Sequence, residues 1–123
     1  MTAPSLQDHD TARLLQDAAS RATRYLDGLG ARAVAPDVSA VARLSELDEP
    51  MPTSGSAPAA VLARLDAMVA PATMAMAGPR FFGFVIGGAL PVSVATNWLS
   101  TAWDQNTGLY RATPGTAVIE RVA

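Results

Sequence analysis

The sequence contains no cysteine and no lysine, and its single histidine is His9. Without cysteine the chain has no disulfide, no thiolate metal site and no cysteine nucleophile. Without lysine it cannot form a Schiff base with a carbonyl cofactor or substrate. His9 lies near the N-terminus, where we expect a solvated surface side chain and not the general base of a triad. We therefore predict no catalytic residue and no metal site in this chain.

Neither positive nor negative charge is in large excess. Nine arginines stand against eleven acidic residues, which gives a formal net charge of −2. No run of basic residues is present, so we expect no nucleic-acid partner. The first ten residues lack the basic and apolar regions of a signal peptide, and we expect a cytoplasmic protein.

Aromatic residues make up 6% of the chain, although half of its residues are apolar. Much of that apolar content is alanine, which buries little area per residue. A chain of 123 residues suffices for one small domain, but a small domain buries a modest share of its surface. We therefore expect a thin core, and we expect the isolated chain to associate through incompletely covered apolar stripes.

Helical periodicity dominates the first half of the sequence. Apolar residues at helical spacing predict an amphipathic helix over residues 5–29, with Ser5 as its N-cap and glycine at its end. Ser39 is predicted to cap a short helix that runs to Leu47. Residues 48–58 are rich in proline and hydroxyl residues and predict a loop.

Proline and glycine divide the second half. Ser56 is predicted to cap a helix with Pro58 in its first turn, ending near Pro71. Phe81–Ile86 predicts a short β-like run. Two further helices are predicted, from Pro91 to about Trp103 and from Thr113-Pro114 onward. No stop signal follows the last one, and we expect the sequence to be the front piece of a longer protein.

Residues 81–103 carry no charge and are long enough to span a bilayer. Three glycines, Pro91 and several polar residues lower the hydropathy of this stretch, and a glycine-proline break interrupts it after about ten residues. A buried strand-turn-helix is the favoured interpretation, with no membrane partner.

Four features, in order, resemble the N-terminal region of the pyridoxal-phosphate-dependent group II decarboxylases, the family of the aromatic amino acid and glutamate decarboxylases. An early helix leads to an R-x-V-x-P element, a proline-rich loop and second helix follow, then a P-x-F-F-x-F element, and finally T-P-x-x-x-x-x-E. The residues that carry them are Arg32, Val34, Pro36, Pro79, Phe81, Phe82, Phe84, Thr113, Pro114 and Glu120.

The resemblance covers residues 10–123 and about the first quarter of such an enzyme. It implies a mainly α fragment: a helical, dimerisation-type arm over residues 1–77, then over 78–123 the first elements of an α/β fold type I large domain, with its sheet incomplete. It further implies a homodimer, an amino acid substrate, decarboxylation and pyridoxal phosphate as cofactor. The resting imine of that cofactor needs a lysine, so we expect this chain to be inactive alone.

The resemblance also implies two stretches that line the substrate entrance. Aromatic rings there would pack on a flat cofactor or side chain, and glycine would permit close backbone approach. Phe84 stands where members with aromatic substrates often carry tyrosine, so an aromatic amine substrate is not supported. The predicted substrate- and cofactor-wall residues are Phe84, Val85, Ile86, Gly87, Gly88, Trp103, Asp104, Gln105 and Asn106.

Ordinary structural interpretations stand beside these. The phenylalanines are commonly core residues, Gly87-Gly88 is compatible with a plain turn, and Asp104-Gln105-Asn106 is compatible with a polar helix end. The alternative function is a standalone helical interaction or dimerisation module, or a truncated relic of such an enzyme.

Overall fold

A computed structural model describes residues 8–86 and 88–123, and this part of the chain is mainly helical. It contains no strand in those ranges, and none of its helices is long and apolar enough to cross a membrane. The helices are α1 (Asp8–Gly28), α2 (Val38–Ala42), α3 (Pro58–Val69), α4 (Pro91–Trp103) and α5 (Pro114–Val122), with 3₁₀ turns at Arg43–Leu47 and Ala70–Ala72.

The chain divides into two compact units, a first one that ends at Gly88 and a second one over Ala89–Ala123. In the first unit α1 contacts α3, and the buried apolar residues are Leu29, Met68 and Ala75. Three buried side chains, one of them alanine, make a small core. The boundary predicted at residues 77 and 78 separates an arm from a large domain, and that assignment stays a prediction.

Three prolines start helices as the sequence predicts. Pro58, Pro91 and Pro114 each occupy the first turn of their helix, where the missing N–H costs no hydrogen bond. Pro71 lies in the 3₁₀ turn that ends α3. The predicted bounds of the helix from Pro91 to Trp103 are confirmed.

The predicted helix caps are wrong at two positions. Asp37 caps α2, because its carboxylate accepts hydrogen bonds from the backbone N–H of Ser39 at 2.8 Å and from its hydroxyl at 2.5 Å. Both bonds hold the pKa of Asp37 below its ordinary value, and the bond from the Ser39 hydroxyl has the larger effect. The residue before α3 is Ala57 and not Ser56, and no side chain caps this helix. Ser5, the third predicted cap, lies outside the described residues.

Arginines join distant parts of the first unit. The Arg21 guanidinium donates to Asp66 at 2.9 Å and so connects α1 with α3. Arg32 donates to the carbonyl oxygens of Ala70 at 3.3 Å and Thr73 at 2.7 Å. Its guanidinium also lies 5.1 Å from the centre of the Tyr25 ring, a cation–π contact. One cation thus bonds two carbonyls, one at the start of the 3₁₀ turn and one just after it, and the Ala70 carbonyl also accepts bonds from the N–H and the hydroxyl of Thr73.

A second arginine acts in the same way at the end of α1. Arg80 donates to the carbonyl oxygens of Gly30, at 3.2 Å, and of Arg32. The backbone N–H of Ala75 donates to the carbonyl of Val34 at 2.9 Å. These bonds fasten the segment that leads to Phe81 against the loop after α1, and they position the turn described below.

The second unit has no comparable long-range bonds. Its one buried residue is Thr113, whose hydroxyl donates to the carbonyl of Leu109 at 3.2 Å. Every side-chain hydrogen bond within residues 89–123 spans at most four residues, and no ion pair occurs within that range.

The predicted β-like run at Phe81–Ile86 is not a strand. The segment is irregular and contains a turn at Phe84 and Val85. Aromatic and β-branched residues favour strands only where a neighbouring strand supplies hydrogen bonds and packing. No strand among the described residues offers either, so the segment turns back on itself.

Candidate functional site

The first predicted wall stretch is a tight turn. The backbone N–H of Ile86 lies 3.5 Å from the carbonyl oxygen of Gly83, and this contact closes the turn around Phe84 and Val85. Both central residues have positive φ, 59° and 53°. Consecutive positive φ angles are typical of type I′ turns, where asparagine and glycine are preferred. A β-branched valine there is strained.

The ring of Phe81 supports this turn from one side. A Cβ placed at Gly83 would lie 3.2 Å from Cζ of Phe81, closer than ordinary packing allows. The Phe81 and Phe84 ring centres are 6.4 Å apart and tilted by 35°, within the range of favourable aromatic pairs. Because Gly83 has no side chain, the Phe81 ring has room to lie against the turn.

The outer side chains of the turn face solvent. Phe84 is 77% exposed, Phe82 is 93% exposed, Val85 is fully exposed and Ile86 is half-exposed. For Phe82 and Phe84 the alternative of core residues is therefore wrong within the described chain. Neighbouring apolar side chains that face solvent are typical of an interaction surface.

Gly87 lies outside the described residues. At Gly88 an added Cβ would lie 3.8 Å from the Cα of Ala77, an ordinary contact distance. Gly88 also lacks a positive φ. The structure thus shows no conformational requirement for glycine at position 88.

The second predicted stretch ends α4. Asp104 adopts the left-handed conformation, with φ of 47°, and its N–H donates to the carbonyl of Thr101 at 3.2 Å. The Gln105 amide donates to the carbonyl of Trp103 at 2.7 Å. The Asn106 side-chain oxygen accepts from the N–H of Gly108 at 3.1 Å, an Asx turn. Their local bonds are those of a polar helix end, while the Trp103 ring stays half-exposed.

A pocket of about 430 Å³ lies beside this helix end. Two of its residues were predicted from the sequence, Trp103 and Gln105, whereas three from the start of α5 were not. Residues three and four apart lie on one side of a helix, so the Pro114-Gly115 helix start was the signal that could have added them. The pocket is lined by Trp103, Gln105, Gly115, Thr116 and Ile119.

A second pocket, of about 340 Å³, lies in the first unit between α3 and the loop before it. The guanidinium of Arg64 donates to Glu49 at 2.5 Å and to the carbonyl of Glu46 at 3.1 Å. The hydrogen bond from Arg64 lowers the pKa of Glu49, and it raises the pKa of Arg64 in return. Glu49 is the one acid among the described residues that line this pocket, and its pairing with Arg64 makes it unsuited to general acid catalysis.

The two predicted stretches belong to different units. Phe84, Val85 and Ile86 lie in the first, and Trp103 to Asn106 lie in the second. Within residues 8–86 and 88–123 no group of three or more His, Cys, Asp or Glu side chains is placed to hold a metal ion. No buried side-chain nitrogen or oxygen in the same ranges lacks a hydrogen-bond partner. No orphaned polar group therefore marks a cofactor position.

Comparison with known proteins adds no assignment: no family model matches the chain, and neither a curated protein nor a solved structure is significantly similar to it.

Proposed function

We propose that this chain is the N-terminal region of a pyridoxal-phosphate-dependent amino acid decarboxylase, a carboxy-lyase of carboxylic acid metabolism. The observation that carries the proposal is the ordered set of group II decarboxylase motifs, above all Pro79, Phe81, Phe82 and Phe84 followed by Thr113, Pro114 and Glu120. The start of α5 at Pro114 agrees with the helix that the last motif opens.

In this proposal the chain contributes a dimerisation arm and the first elements of an α/β fold type I large domain. Support comes from large apolar side chains that the described chain leaves uncovered. Monomeric proteins rarely expose contiguous apolar patches of this kind. A partner subunit and the remaining sheet of a cytoplasmic homodimer would cover them. They include Leu15 and Leu26 on α1, Val61 and Leu65 on α3, Leu99 on α4, and Val122 on α5.

The residues present do not by themselves hold pyridoxal phosphate. The chain has no lysine to form the imine, and the described residues leave no orphaned polar group for a phosphate. When bound, this cofactor supplies an electron sink for carbanion chemistry, and its lysine has to come from elsewhere in the protein. The chain's own contribution is a wall, for which Phe84, Val85 and Ile86 offer exposed apolar surface.

This wall has no hydroxyl at Phe84 and no charged side chain from Phe81 to Trp103. Neither a catechol-like nor an acidic substrate side chain finds a polar side-chain partner on Phe84, Val85 or Ile86. A polar group of the substrate would instead be oriented by the second predicted stretch, through Asp104 or Asn106.

The test uses the whole open reading frame that contains this chain. Borohydride reduction followed by peptide mapping is expected to place a pyridoxyl group on a lysine outside residues 1–123. Amino acid mixtures are then screened for release of carbon dioxide. A frame that stops after Ala123, with a product of 12.7 kDa and no pyridoxal absorption band, contradicts the proposal.

A variant pair examines the wall. Phe84→Ala is expected to lower kcat/KM about threefold to tenfold, because one aromatic contact is lost. Leu90→Ala removes a similarly exposed apolar side chain, 66% accessible, outside the proposed wall, and is expected to leave kcat/KM unchanged. An equal decrease of kcat/KM in both variants would show that Phe84 has no special role in the wall.

The uncovered helix faces also favour a second candidate, a helical interaction or dimerisation module without its own chemistry. It predicts a stable self-associating chain of 123 residues that neither binds pyridoxal phosphate nor releases carbon dioxide. Sedimentation equilibrium together with the pyridoxal absorption spectrum separates the two candidates.

A further inference from the structure

The pocket between the end of α4 and the start of α5 has the size of a ligand site. Its volume of about 430 Å³ lies within the range of small-molecule pockets, roughly 300–1,000 Å³. All of its lining residues belong to the second unit.

The pocket combines apolar walls with a few polar groups, as ligand pockets commonly do. Trp103 is 50% exposed and Ile119 is 60% exposed, so each offers apolar surface to an occupant. Gly115 adds open space, since nothing lies within 4 Å of a Cβ built there. A flat molecule can approach the backbone at this glycine while its face contacts the indole ring.

The polar groups of the pocket indicate the charge of the occupant. None of the five described lining residues has an ionisable side chain, so a charged molecule would lose hydration without gaining a counter-ion. The Gln105 amide uses one N–H on the carbonyl of Trp103, which leaves its carbonyl oxygen and second N–H for another partner. A neutral amide group complements both.

We infer that this pocket binds a small, neutral, planar aromatic molecule that carries an amide or a similar carbonyl group. The ring lies against Trp103 and Ile119, and the carbonyl group bonds Gln105. This inference goes beyond the proposed function and does not rest on it, because it requires neither pyridoxal phosphate nor a partner subunit.

The test follows the ¹⁹F resonance of 4-fluorobenzamide during titration with the protein. Gly115→Val fills the pocket, and valine is a better helix former than glycine, so the variant keeps α5 intact by circular dichroism. It is expected to weaken binding at least about tenfold, since a β-branched side chain occupies the space beside the backbone. Trp103→Ala is expected to weaken binding about twofold to tenfold.

Matched controls make the result decisive. Gly55→Val also adds a side chain where nothing lies within 4 Å, but position 55 does not line this pocket, so binding is expected to persist. Cyclohexanecarboxamide and benzoate are expected to compete at least about fivefold more weakly than benzamide, because one lacks the flat ring and the other carries a charge. Unchanged binding in Gly115→Val, or equal competition by benzoate, overturns the inference.

Discussion

The two units of the molecule hold their chain together in different ways. The first unit uses arginines that reach across 38 to 50 residues to backbone carbonyls and carboxylates. The second unit, Ala89–Ala123, uses local bonds of four residues or fewer around one buried residue, Thr113. In the first unit, polar cross-links compensate for a small core. The second unit has no comparable cross-links.

The difference bears on function. Charge-assisted bonds are among the stronger hydrogen bonds of a folded chain; those of Arg32 are half-buried, and those of Arg80 are exposed. They position the segment from Gly78 to Ile86 without requiring a large core. In the second unit, Trp98 and Leu99 stay exposed, and no long-range side-chain bond within residues 89–123 holds its helices.

The largest expected effect comes from removing the cross-link at Arg32. Arg32→Ala deletes two hydrogen bonds to carbonyls and the contact with Tyr25. Hydrogen bonds to charged groups contribute about 1.5–3 kcal/mol, so we expect unfolding free energy to fall by about 2 kcal/mol. Urea unfolding followed by circular dichroism measures it.

Arg111→Ala is the matched control for that experiment. Arg111 is exposed in the second unit and makes no side-chain hydrogen bond within residues 89–123. We expect a change of less than about 0.5 kcal/mol. Equal losses at positions 32 and 111 would show that the arginine cross-links do not distinguish the two units.

A smaller effect is expected from the one buried hydroxyl of the second unit. Thr113→Val keeps the shape of the side chain but removes the bond to the Leu109 carbonyl, and we expect a loss of about 1 kcal/mol. Thr101→Val removes a hydroxyl that bonds the carbonyl of Asn97 in an exposed part of α4.

The Thr101 variant should leave thermal stability almost unchanged, because water replaces the lost partner. The two threonines thus compare the same bond, to a carbonyl four residues earlier, in buried and exposed surroundings. If Thr101→Val lowers stability as much as Thr113→Val, then burial does not explain the contribution of the bond from Thr113 to the Leu109 carbonyl.

Local signals predicted much of the helical content. Prolines at positions 58, 91 and 114 marked helix starts, because proline is compatible with the first turn and with little of the remaining helix. Caps were less predictable. Asp37 and Ser39 both suit an N-cap, and the carboxylate of Asp37 accepts both bonds of Ser39.

The candidate site could be predicted only in part. The apolar run from Phe81 to Ile86 matched strand composition, and the lack of a pairing strand among the described residues is a tertiary fact that no local pattern contains. The contacts of Arg32 and Arg80 join residues far apart in sequence, so spacing could not reveal them. Trp103 and Gln105 were predicted by resemblance, while Gly115 joins them because the end of α4 and the start of α5 line one pocket.

In the strained turn of the first unit, one substitution is expected to raise the unfolding free energy, whereas the substitutions above lower it. Val85 holds a φ of 53° that suits glycine. Val85→Gly is expected to raise the unfolding free energy by about 0.5–1 kcal/mol, since left-handed backbone costs a non-glycine residue about 1–2 kcal/mol and glycine's flexibility offsets part of the gain.

Val85→Ala is the control for the turn. It removes the branched side chain but keeps the Cβ that makes positive φ unfavourable, so we expect little gain. If Val85→Ala stabilises the chain as much as Val85→Gly, loss of an exposed apolar side chain and not backbone strain explains the effect. If neither variant is more stable, the turn carries no strain.

The smallest expected effect is a loss of stability at acidic pH that comes from two carboxyl groups of the first unit, Asp37 and Glu49. Hydrogen bonds from Ser39 lower the pKa of Asp37, and those from Arg64 lower the pKa of Glu49. A carboxyl group whose pKa is lower in the folded state stabilises that state above its unfolded pKa. Its contribution is lost as pH falls from the ordinary values, 3.8 for aspartate and 4.5 for glutamate, through the lower folded ones.

The double variant Asp37→Asn and Glu49→Gln isolates this contribution. Asparagine still caps α2, but neither new side chain titrates, so the decrease in stability between pH 5 and pH 2 is expected to be shallower than in the unaltered chain. Thermal unfolding across that range measures the slope. An unchanged slope would mean that Asp37 and Glu49 do not cause the acid sensitivity of the chain.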